Sequence, residues 1–422
     1  MSTAEVSLDV ARELRAICGD DKTRERPAGG VYVSPATAEE VAAIVRLANE
    51  RRLSVGAAGG STERGAVELN TDIVLHTAQL TEVEHYDHAD LTVGVGAGMT
   101  VAQLNDVVGA DNLMFGADPP LQERCTIGGL LSTAAHGPLR HGYGAVRDYC
   151  IGVRFVTGDG RRAKGGGRVV KNVAGYDLMK LLIGSYGTLA VITSASFKLF
   201  PRPRQTRTFL GEFAKANEAI AFRDRVVRSP LAPMCLELVS AGARKMMRPE
   251  MDEDAWVVCV RAAGSDAVLG RYRKELGTAI SREVDGEGER TMWKVLGDFP
   301  RAMSGAGNIG PDVTLQVTGP PSETLAIVET VQTTAAESGA EVGMIGRAGV
   351  GHVQVTIRGV SQNLADQVKT IVERLGQPRN GLSVKAVGAQ NPWPVQPASL
   401  ESMRAVKRAL DPNDTLRGRE IA

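Results

Sequence analysis

Cysteine is scarce in this chain, and its spacing excludes several kinds of site. The 422 residues contain five cysteines, and no two of them form a CxxC pair. An odd number of widely spaced thiols argues against a disulfide framework, an iron–sulfur cluster held by this chain and a structural zinc site. We therefore expect free, buried thiols in a reducing compartment. The five residues are Cys18, Cys125, Cys150, Cys235 and Cys259.

Long apolar runs and an excess of either charge are missing as well. No apolar segment reaches the roughly 18 residues that a membrane-spanning helix needs. The first 15 residues carry acids and lack the apolar core of a signal peptide. Lysine plus arginine equals aspartate plus glutamate, at 49 each, so the net charge gives no reason to expect nucleic acid or a membrane surface as a partner. We predict a cytoplasmic protein.

The hydrophobic pattern divides the chain into two α+β regions. At roughly 150 residues per domain, this length predicts two or three domains. Short strands and helices alternate up to Pro201 and Pro203, which indicate a boundary. Beyond it, strand–helix–strand units predict one sheet covered by helices. The predicted units are an N-terminal segment (1–29), a first domain (30–204), a second domain (205–390) and a C-terminal tail (391–422) that packs on the body.

Several helices have well-defined predicted ends. Thr37 and Glu40 have the spacing of a capping box and open one helix. Apolar residues at helical spacing predict three more, over Asp266–Leu276, Leu364–Leu375 and Leu400–Leu410. In the first domain, Gly158-Asp159-Gly160 between two apolar runs predicts a hairpin.

Glycine is abundant and concentrated. It accounts for 48 of the 422 residues, and residues 94–187 hold 19 of them. The segment is not of low complexity, so we expect tight turns and close approach of the backbone to a large polar ligand. Residues 140–204 carry twelve basic and three acidic side chains. This basic window predicts either a solvated face or a field for an anionic ligand or acidic partner.

Two common nucleotide motifs are absent. Gly94-Val95-Gly96-Ala97-Gly98 follows a predicted strand, but the third glycine of a GxGxxG fingerprint is Met99 in one register and Val101 in the other. No GxxxxGK[ST] sequence occurs. A different loop, Gly59-Gly60-Ser61-Thr62, leaves a predicted strand with little side chain, so its amide and hydroxyl groups could form a nest for an anion.

Further motifs follow in a specific order. The chain continues with Asp118-Pro119-Pro120, Thr126-Ile127-Gly128-Gly129, Thr133 to Pro138, and Tyr143-Gly144. A last stretch runs from Gly167 through Gly175-Tyr176-Asp177 to Gly187-Thr188 and Thr193. With the Gly59–Thr62 loop, this ordered set resembles the FAD-binding domain of the vanillyl-alcohol oxidase / p-cresol methylhydroxylase (PCMH) superfamily. More narrowly, it resembles the FAD-binding subunits of bacterial glycolate oxidase. The likeness is strong over about residues 30–200 and weaker beyond.

The resemblance implies an α+β fold and a set of cofactor contacts. The fold would be a PCMH-type FAD-binding domain of two α+β subdomains, followed by an α+β, ferredoxin-like cap domain. The pyrophosphate would lie on the first loop and on Thr126–Gly129, the flavin ring near Thr133–Gly137 and Tyr143–Gly144, and the adenine end beside Gly187–Thr193. The implied contacts are Gly59, Gly60, Ser61, Thr62, Pro119, Thr126, Ile127, Gly128, Gly129, Thr133, Ala134, Gly137, Tyr143, Gly144, Gly187, Thr188, Val191 and Ile192.

The sequence departs from the family pattern in ways that bear on chemistry. Ala134 replaces the usual asparagine, and Ser61 stands where a third glycine is usual. The first loop has no histidine, and Cys125 and Cys150 are offset from the usual attachment position, so we expect non-covalent FAD. Related 2-hydroxyacid dehydrogenases use several cap histidines to bind a metal. Here His352 alone remains of such a motif, which one imidazole cannot complete, so no metal site is predicted.

The resemblance predicts the oxidation of an α-hydroxy acid to the 2-oxo acid. His136 and His352 are the candidate bases, although either could be a structural histidine. Two hypotheses remain open: the chain is itself an FAD-dependent 2-hydroxyacid dehydrogenase, or it is a flavin-bearing assembly or electron-relay subunit. The implied partners are a second, catalytic FAD-containing subunit and an iron–sulfur subunit. Any membrane association would be made through these partners.

Overall fold

The structure, a computed structural model, describes ten stretches of the chain. They are residues 3–27, 29–62, 70–167, 177–248, 254–299, 313–347, 349–358, 363–376, 382–387 and 399–418. Two features of the sequence lie outside these stretches: residues 168–176 of the last glycine-containing motif, and the tail prolines Pro392, Pro394 and Pro397. The described elements mix helices with strands throughout, which confirms the predicted α+β class.

A small mixed sheet with two helices opens the chain. Its elements are α1 (Thr3–Cys18), β1 (Thr23–Glu25), β2 (Val31–Val33), α2 (Ala38–Arg51), β3 (Val55–Ala58) and β4 (Ile73–His76). The strand order is β1-β2-β4-β3, with the last three strands parallel. Thr37 caps α2 by accepting the Glu40 N–H, but the Glu40 carboxylate accepts the N–H of Ala36. Only half of the predicted capping box forms.

The second sheet has five antiparallel strands. The elements of this region are β5 (Val83–Asp87), β6 (Thr92–Gly96), α3 (Val101–Gly109), β7 (Leu113–Met114), α4 (Ile127–Thr133), α5 (Arg140–Tyr143), α6 (Val146–Tyr149), β8 (Cys150–Thr157), β9 (Arg162–Gly166), α7 (Leu178–Leu182), β10 (Ala190–Lys198) and β11 (Phe200–Pro201). The sheet order is β5-β6-β10-β8-β9, and β8 and β9 form the predicted hairpin. Val156 and Val191 share a buried core with Ile44 and Val45 of α2, so α2 packs against both sheets.

The cap domain is one eight-stranded antiparallel sheet built from two similar units. Its elements are β12 (Thr206–Phe213), α8 (Ala216–Arg228), β13 (Cys235–Val239), α9 (Ala241–Met247), β14 (Trp256–Ala263), α10 (Asp266–Leu276), β15 (Arg282–Val284), α11 (Gly286–Asp298), β16 (Val313–Thr318), α12 (Thr324–Ser338), β17 (Glu341–Arg347), β18 (His352–Arg358), α13 (Leu364–Leu375) and β19 (Ser383–Val387). The order is β15-β12-β14-β13-β17-β18-β16-β19. Strands β12–β15 and β16–β19 each follow a ferredoxin-like β-α-β-β-α-β order, and β13 pairs with β17 to join them.

The tail returns to the first sheet. After α14 (Leu400–Leu410), the chain runs beside β3: the N–H of Val55 donates to Thr415 at 2.7 Å, and the N–H of Arg417 donates to Val55 at 2.8 Å. Leu416 is buried in the core of the first subdomain. The tail therefore packs on the body of the protein and ties its last described residues to the FAD-binding half.

The cap and the first domain share a buried core. Met114 and Leu139 of the first domain pack with Met234, Trp293 and Phe299 of the cap. The N–H of Leu121 also donates to the carboxylate of Asp298 on α11, at 2.7 Å. All five cysteines are free and buried, which confirms the prediction of free, buried thiols. Among the described helices, none is long and apolar enough to cross a membrane.

Candidate functional site

A pocket opens where the first sheet, α4 and the start of β10 meet. It is lined by the end of β3 and the loop after it, by the first half of α4 and the residues that follow, and by the turn that enters β10. The lining residues are Ala57, Ala58, Gly59, Gly60, Ser61, Thr62, Thr77, Thr126, Gly128, Gly129, Ser132, Thr133, Tyr186, Gly187, Ala190, Val191 and Ile192. None of these residues carries a charged side chain, so amide and hydroxyl groups supply the polarity of the pocket.

The loop after β3 presents its backbone to the pocket. Ser61 adopts a left-handed backbone conformation, with φ of 54°. Neither Gly60 nor Ser61 donates its N–H to another residue in the described part of the chain. A Cβ on Gly59 would overlap the Thr126 hydroxyl, and one on Gly60 would overlap the Arg124 carbonyl oxygen. Glycine is therefore required here for the loop to lie against the segment before α4.

The opposite wall is fixed by the start of α4. Thr126 caps this helix by accepting the Gly129 N–H at 3.2 Å. The N–H groups of Ile127 and Gly128 donate to Met99 and Ala97, both at 2.8 Å. These bonds pin the helix to the end of β6, so the pocket wall is rigid.

The pocket fits the phosphate-bearing cofactor that the motifs imply. A Cβ on Gly129 would meet only the Thr126 hydroxyl, at 3.1 Å, and one on Gly187 only the Ala57 Cβ, at 3.7 Å. These two glycines thus border open space that ordinary side chains would fill. Amide groups of the Ser61 loop and the hydroxyls of Thr62 and Thr126 line the same space. Such a nest suits phosphate oxygens, and no carboxylate among the lining residues repels them.

Eleven of the predicted cofactor contacts line this pocket, and seven are not among its lining residues. The seven are Pro119, Ile127, Ala134, Gly137, Tyr143, Gly144 and Thr188. Ala134 ends α4 in a left-handed conformation, and a Cβ on Gly137 would overlap Asp118. Tyr143 packs edge-on against Phe200, with ring centroids 4.8 Å apart.

Six pocket residues were not predicted from the sequence. They are Ala57, Ala58, Thr77, Ser132, Tyr186 and Ala190. Five are direct neighbours of predicted contacts along the chain, so extending each motif by one or two residues would have found them. Thr77 follows β4, and its hydroxyl donates to the Ala58 carbonyl at 3.3 Å. Its place depends on the parallel pairing of β3 with β4, which no local motif shows.

The two candidate bases come together at the boundary between the domains. The rings of His136 and His352 meet edge-on, with centroids 4.4 Å apart. His136 lies three residues beyond Thr133 of the pocket, whereas His352 opens β18 of the cap. The Nδ1 atom of His352 is 3.0 Å from the Thr318 hydroxyl. His136 keeps part of its surface exposed, although its Nδ1 is buried with no hydrogen-bond partner among the described residues.

Charged groups surround this histidine pair. Desolvation lowers the pKa of both imidazoles well below the usual value, and the positive charges of Arg347 and Arg140 add to the effect. Lys385 acts in the same direction on His136. These effects all favour the neutral form of both imidazoles, which is the form that can accept a proton.

Two acids lie behind the pair. Desolvation raises the pKa of Asp118 to about 7 and that of Glu237 to about 8, while Arg347 opposes both shifts. The Asp118 carboxylate accepts the Leu139 N–H at 3.0 Å. Glu237 is fully buried, and its nearest described cation is Arg347, at 3.9 Å. Strongly perturbed groups at a domain boundary are typical of functional sites.

Most of the basic window faces solvent. Arg154, Arg161 and Lys180 pair with the exposed or half-buried acids Glu84, Asp159 and Asp177. Within the described part of that window, Arg140 is the basic residue that turns inward and affects the histidine pair. The window is therefore largely a solvated face. The pocket itself contains no lysine or arginine.

Two family models match the chain and together define its class. Residues 30–166 match an FAD binding domain, and residues 202–419 match the C-terminal domain of FAD linked oxidases. The second match alone covers more than half of the chain. This protein belongs to the FAD-linked oxidase family, and FAD is the cofactor of that family.

Individual relatives narrow the comparison. The chain is 40% identical to the D-lactate dehydrogenase of Archaeoglobus fulgidus over 216 residues, which are 50% of this chain and 48% of that protein. It is 25% identical to glycolate oxidase subunit GlcD of Bacillus subtilis over 411 residues, or 91% and 87% of the two chains. It is 37% identical to glycolate oxidase subunit GlcE of Escherichia coli over 196 residues, or 46% and 55%. The chain thus spans only about half the length of two of these relatives.

Solved structures confirm the fold. p-Cresol methylhydroxylase with bound substrate superposes with a TM-score of 0.77 at 17% identity, covering 99% of this chain and 97% of that one. The 4-ethylphenol oxidase of Gulosibacter chungangensis also gives 0.77, at 15% identity and 98% and 96% coverage. At these identities the likeness establishes a PCMH-type architecture for the chain.

Proposed function

We propose that this chain is the FAD-binding subunit of a glycolate oxidase-like 2-hydroxyacid dehydrogenase. The reaction would convert an α-hydroxy acid such as glycolate or lactate to the 2-oxo acid. The main support is the His136–His352 pair, which lies at the domain boundary, with His136 three residues along the chain from Thr133 of a pocket suited to FAD. Relatives named D-lactate dehydrogenase and glycolate oxidase subunit act on substrates of this kind.

The residues of the chain have complementary roles in this proposal. Bound FAD would accept a hydride from the substrate and release electrons singly. A histidine of the pair would take the hydroxyl proton, and partly exposed His136 is the better placed of the two. Arg140 and Lys385 lie near enough to affect the pKa of His136, so they can attract the substrate carboxylate to the same place.

FAD would be held without a covalent bond. The pocket lining contains neither cysteine nor histidine, and Cys125, next to Thr126, is buried and directed toward the Thr126 carbonyl. Acid precipitation of the purified holoprotein should release the yellow cofactor to the supernatant. Flavin that stays with the precipitate would contradict this part of the proposal.

The electrons would leave through partner subunits. Within the described residues, no three histidine, cysteine or acidic side chains gather into a metal-binding group. An iron–sulfur subunit and a second, catalytic FAD-containing subunit are the proposed partners, as the names of the glycolate oxidase relatives suggest.

A second candidate function is that the chain carries flavin for assembly or electron relay. It is favoured because His352 lacks the additional histidines expected of a metal-assisted dehydrogenase.

One experiment separates the two functions. The FAD-loaded chain alone is mixed with glycolate or D-lactate without oxygen, and the flavin absorbance near 450 nm is followed. Bleaching at catalytic rates that is lost in His136→Gln would establish the chain as a dehydrogenase. No bleaching alone, but bleaching after addition of the partner subunits, would support the relay function. A chain that neither binds FAD nor changes in the full complex would exclude both.

A further inference from the structure

Four polar side chains lie side by side across the cap sheet, and one of them is His352 of the histidine pair. In register, Glu237 on β13 lies opposite Arg347 on β17, Arg347 lies opposite His352 on β18, and His352 lies opposite Thr318 on β16. Directly opposed residues in adjacent strands share one face of a sheet. The fold of the cap therefore places a carboxyl, a guanidinium, an imidazole and a hydroxyl side by side.

Arg347 is the member of this row that reaches the other domain. Its Nη2 donates to the carbonyl oxygen of His136 at 3.0 Å, across 211 positions of sequence. The side chain is 2% exposed, and its Nε and Nη1 have no hydrogen-bond partner among the described residues. Burial of a guanidinium with two unpartnered nitrogens is costly, which singles out its hydrogen bond to the His136 carbonyl as a specific contact between the two domains.

We propose that Arg347 is a positioning residue that holds His136 against His352 across the boundary between the two domains. It fixes the backbone of His136 with one nitrogen and places a permanent positive charge beside both imidazoles. That this histidine pair takes a proton from a substrate hydroxyl rests on the proposed function. The positioning role of Arg347 does not.

The charges around the pair are consistent with this role. Facing His136 are His352, Arg347, Arg140 and Lys385, and facing His352 are Arg347 and Arg140. Each cation disfavours protonation of a nearby imidazole. Arg347 differs from the other two because it also makes the hydrogen bond that sets the position of one ring.

Two buried acids lie near the guanidinium. The Nη1 atom of Arg347 lies 3.9 Å from the Glu237 carboxylate, and the positive charge of Arg347 also acts to lower the pKa of Asp118. The pKa values of both carboxyls are nevertheless raised, because desolvation outweighs the effect of this single cation. Arg347 thus faces two acids on one side and two imidazoles on the other.

The test measures imidazole protonation in the FAD-loaded, oxidised protein without substrate, so that no flavin turnover contributes. Long-range ¹H–¹⁵N spectra are recorded between pH 5 and 8.5, with His136→Gln and His352→Gln used to assign the two rings. In the native sequence both rings should titrate below the ordinary imidazole value of 6.5. In Arg347→Met, at least one ring should become protonated with a pKa higher by about one unit or more, because a like charge has been removed.

Two further variants separate charge from fold. Arg347→Lys keeps the charge, so both rings should titrate as in the native sequence, and a higher pKa of either ring in the folded variant would overturn the electrostatic role. Arg282→Met, on the exposed edge strand β15 of the same domain, should leave the histidine titration unchanged. A folded Arg347→Met with the native titration would overturn the proposal outright.

The outcome is independent of activity. If Arg347→Met shifts the histidine titration but the native protein oxidises no 2-hydroxy acid, the positioning role stands and the proposed function fails. If the native protein is active but Arg347→Met keeps the native histidine titration, the proposed function stands and the positioning role fails.

Discussion

The backbone angle of Ser61 explains why related FAD-binding domains usually carry glycine at this position. The FAD-binding domains that the chain resembles usually carry glycine where this chain has Ser61, and the residue adopts φ of 54°. A left-handed conformation costs a non-glycine residue roughly 1–2 kcal/mol, which glycine avoids. The serine is retained at a position that lines the pocket, where its hydroxyl adds a donor to the anion nest.

Gly129 offers a direct test of the pocket. A valine there would project into the space proposed for FAD, because only the Thr126 hydroxyl lies near the added Cβ. We expect Gly129→Val to remain folded and to lose binding of FAD by at least 100-fold. Fluorescence titration of the apoprotein with FAD measures this.

Gly270→Val is the matched control. Gly270 also lies in a helix, α10, and a Cβ there meets nothing within 4 Å, so the two variants differ in location rather than in chemistry. It should bind FAD as the native chain does. Equal affinity in Gly129→Val and Gly270→Val would mean that the cofactor lies elsewhere.

Glu237 makes stability depend on pH. Its pKa is raised by burial to about 8 from an ordinary value of 4.5, so the folded state binds an additional proton between these values. The free energy of unfolding must therefore fall as pH rises through this window, by up to about 1.4 kcal/mol per pH unit from this group. Glu237→Gln should remove the share of the slope that this group contributes, most clearly above pH 7, because Asp118 with its raised pKa of about 7 contributes in the same sense below it; urea unfolding at pH 5.5, 6.5, 7.5 and 8.5 would show this.

The control for this measurement is Glu329→Gln, an exposed acid on α12. It should leave the slope unchanged. The lowered pKa values of His136 and His352 act in the opposite sense, since their contribution to stability is lost as pH falls below about 6.5. A steeper fall of stability with pH in Glu237→Gln than in the native chain would contradict the assignment.

At the residue scale, local motifs brought the predicted cofactor contacts to one place. The glycines at 59, 60, 128, 129 and 187, predicted as such contacts, line the pocket proposed for FAD. Others in the glycine-rich stretch serve the protein itself: a Cβ on Gly94, Gly96 or Gly98 would overlap His85, Leu80 or Thr77. Close backbone approach was thus correctly inferred, but in part the approach is to other protein atoms. Single motifs do not distinguish the two.

At the scale of elements, helices with clear periodicity were predicted well. The predicted bounds of α10, α13 and α14 coincide with those in the structure. Helices α8 and α11 were not predicted: α8 has five buried side chains, including Arg223, and α11 buries Glu289. Arg223 donates to the Thr324 hydroxyl, and Glu289 accepts from Thr208 and Arg261. Buried polar residues with distant partners obscure the apolar stripe that reveals a helix.

The tail depends on one lysine of α14. The Lys407 ammonium donates to the carbonyls of Thr188 at 2.9 Å and Leu416 at 2.7 Å, and it pairs with Asp411. Asp411 is buried and accepts the N–H groups of Thr415 and Leu416. This network joins α14 to the turn that follows Gly187 of the pocket.

Replacing this lysine should therefore affect both stability and cofactor binding. Lys407→Met leaves Asp411 as an uncompensated buried acid, and we expect it to lower the free energy of unfolding by about 3 kcal/mol. FAD should also bind more weakly, because Thr188 loses a donor that holds it. Urea unfolding and FAD titration measure the two effects.

Arg408→Met is the control on the same helix. Arg408 is exposed, so the change should stay within about 0.5 kcal/mol. Similar losses in both variants would show that removal of any cation from α14 matters, rather than the Lys407 network.

At the scale of the whole molecule, the domain classes were predictable and the arrangement was not. The sequence pattern predicted one sheet covered by helices and the family resemblance implied a ferredoxin-like cap, but the structure contains two such units joined through β13 and β17. Strands β12 and β13 escaped prediction, so the duplication was not visible. The proximity of His136 to His352 depends on that sheet register and on the docking of two domains, and neither is encoded locally.

The domain contacts predict that FAD stabilises the cap as well as the domain that binds it. The shared core, the Arg347–His136 bond and the tail on β3 couple the two halves, so the slowest-exchanging amides of both should open only on global unfolding. FAD at about 100 times its dissociation constant adds roughly 2.7 kcal/mol to the free energy of unfolding. Amide exchange in the central cap strands β13, β17 and β18 should then slow by about 100-fold, as hydrogen-exchange mass spectrometry would measure.

Gly129→Val distinguishes this effect from unspecific binding, since its cap strands should exchange at the same rate with and without FAD. The position of the slowing decides the question for the native chain. Slowing confined to residues 29–199 would mean that the cap unfolds independently, and that the contacts around His136 and Arg347 open without disturbing the cofactor. Slowing that extends through β13, β17 and β18 would mean that cofactor, histidine pair and cap form one cooperative unit, because only a shared unfolding transition transmits the binding free energy of FAD to strands that do not line its pocket.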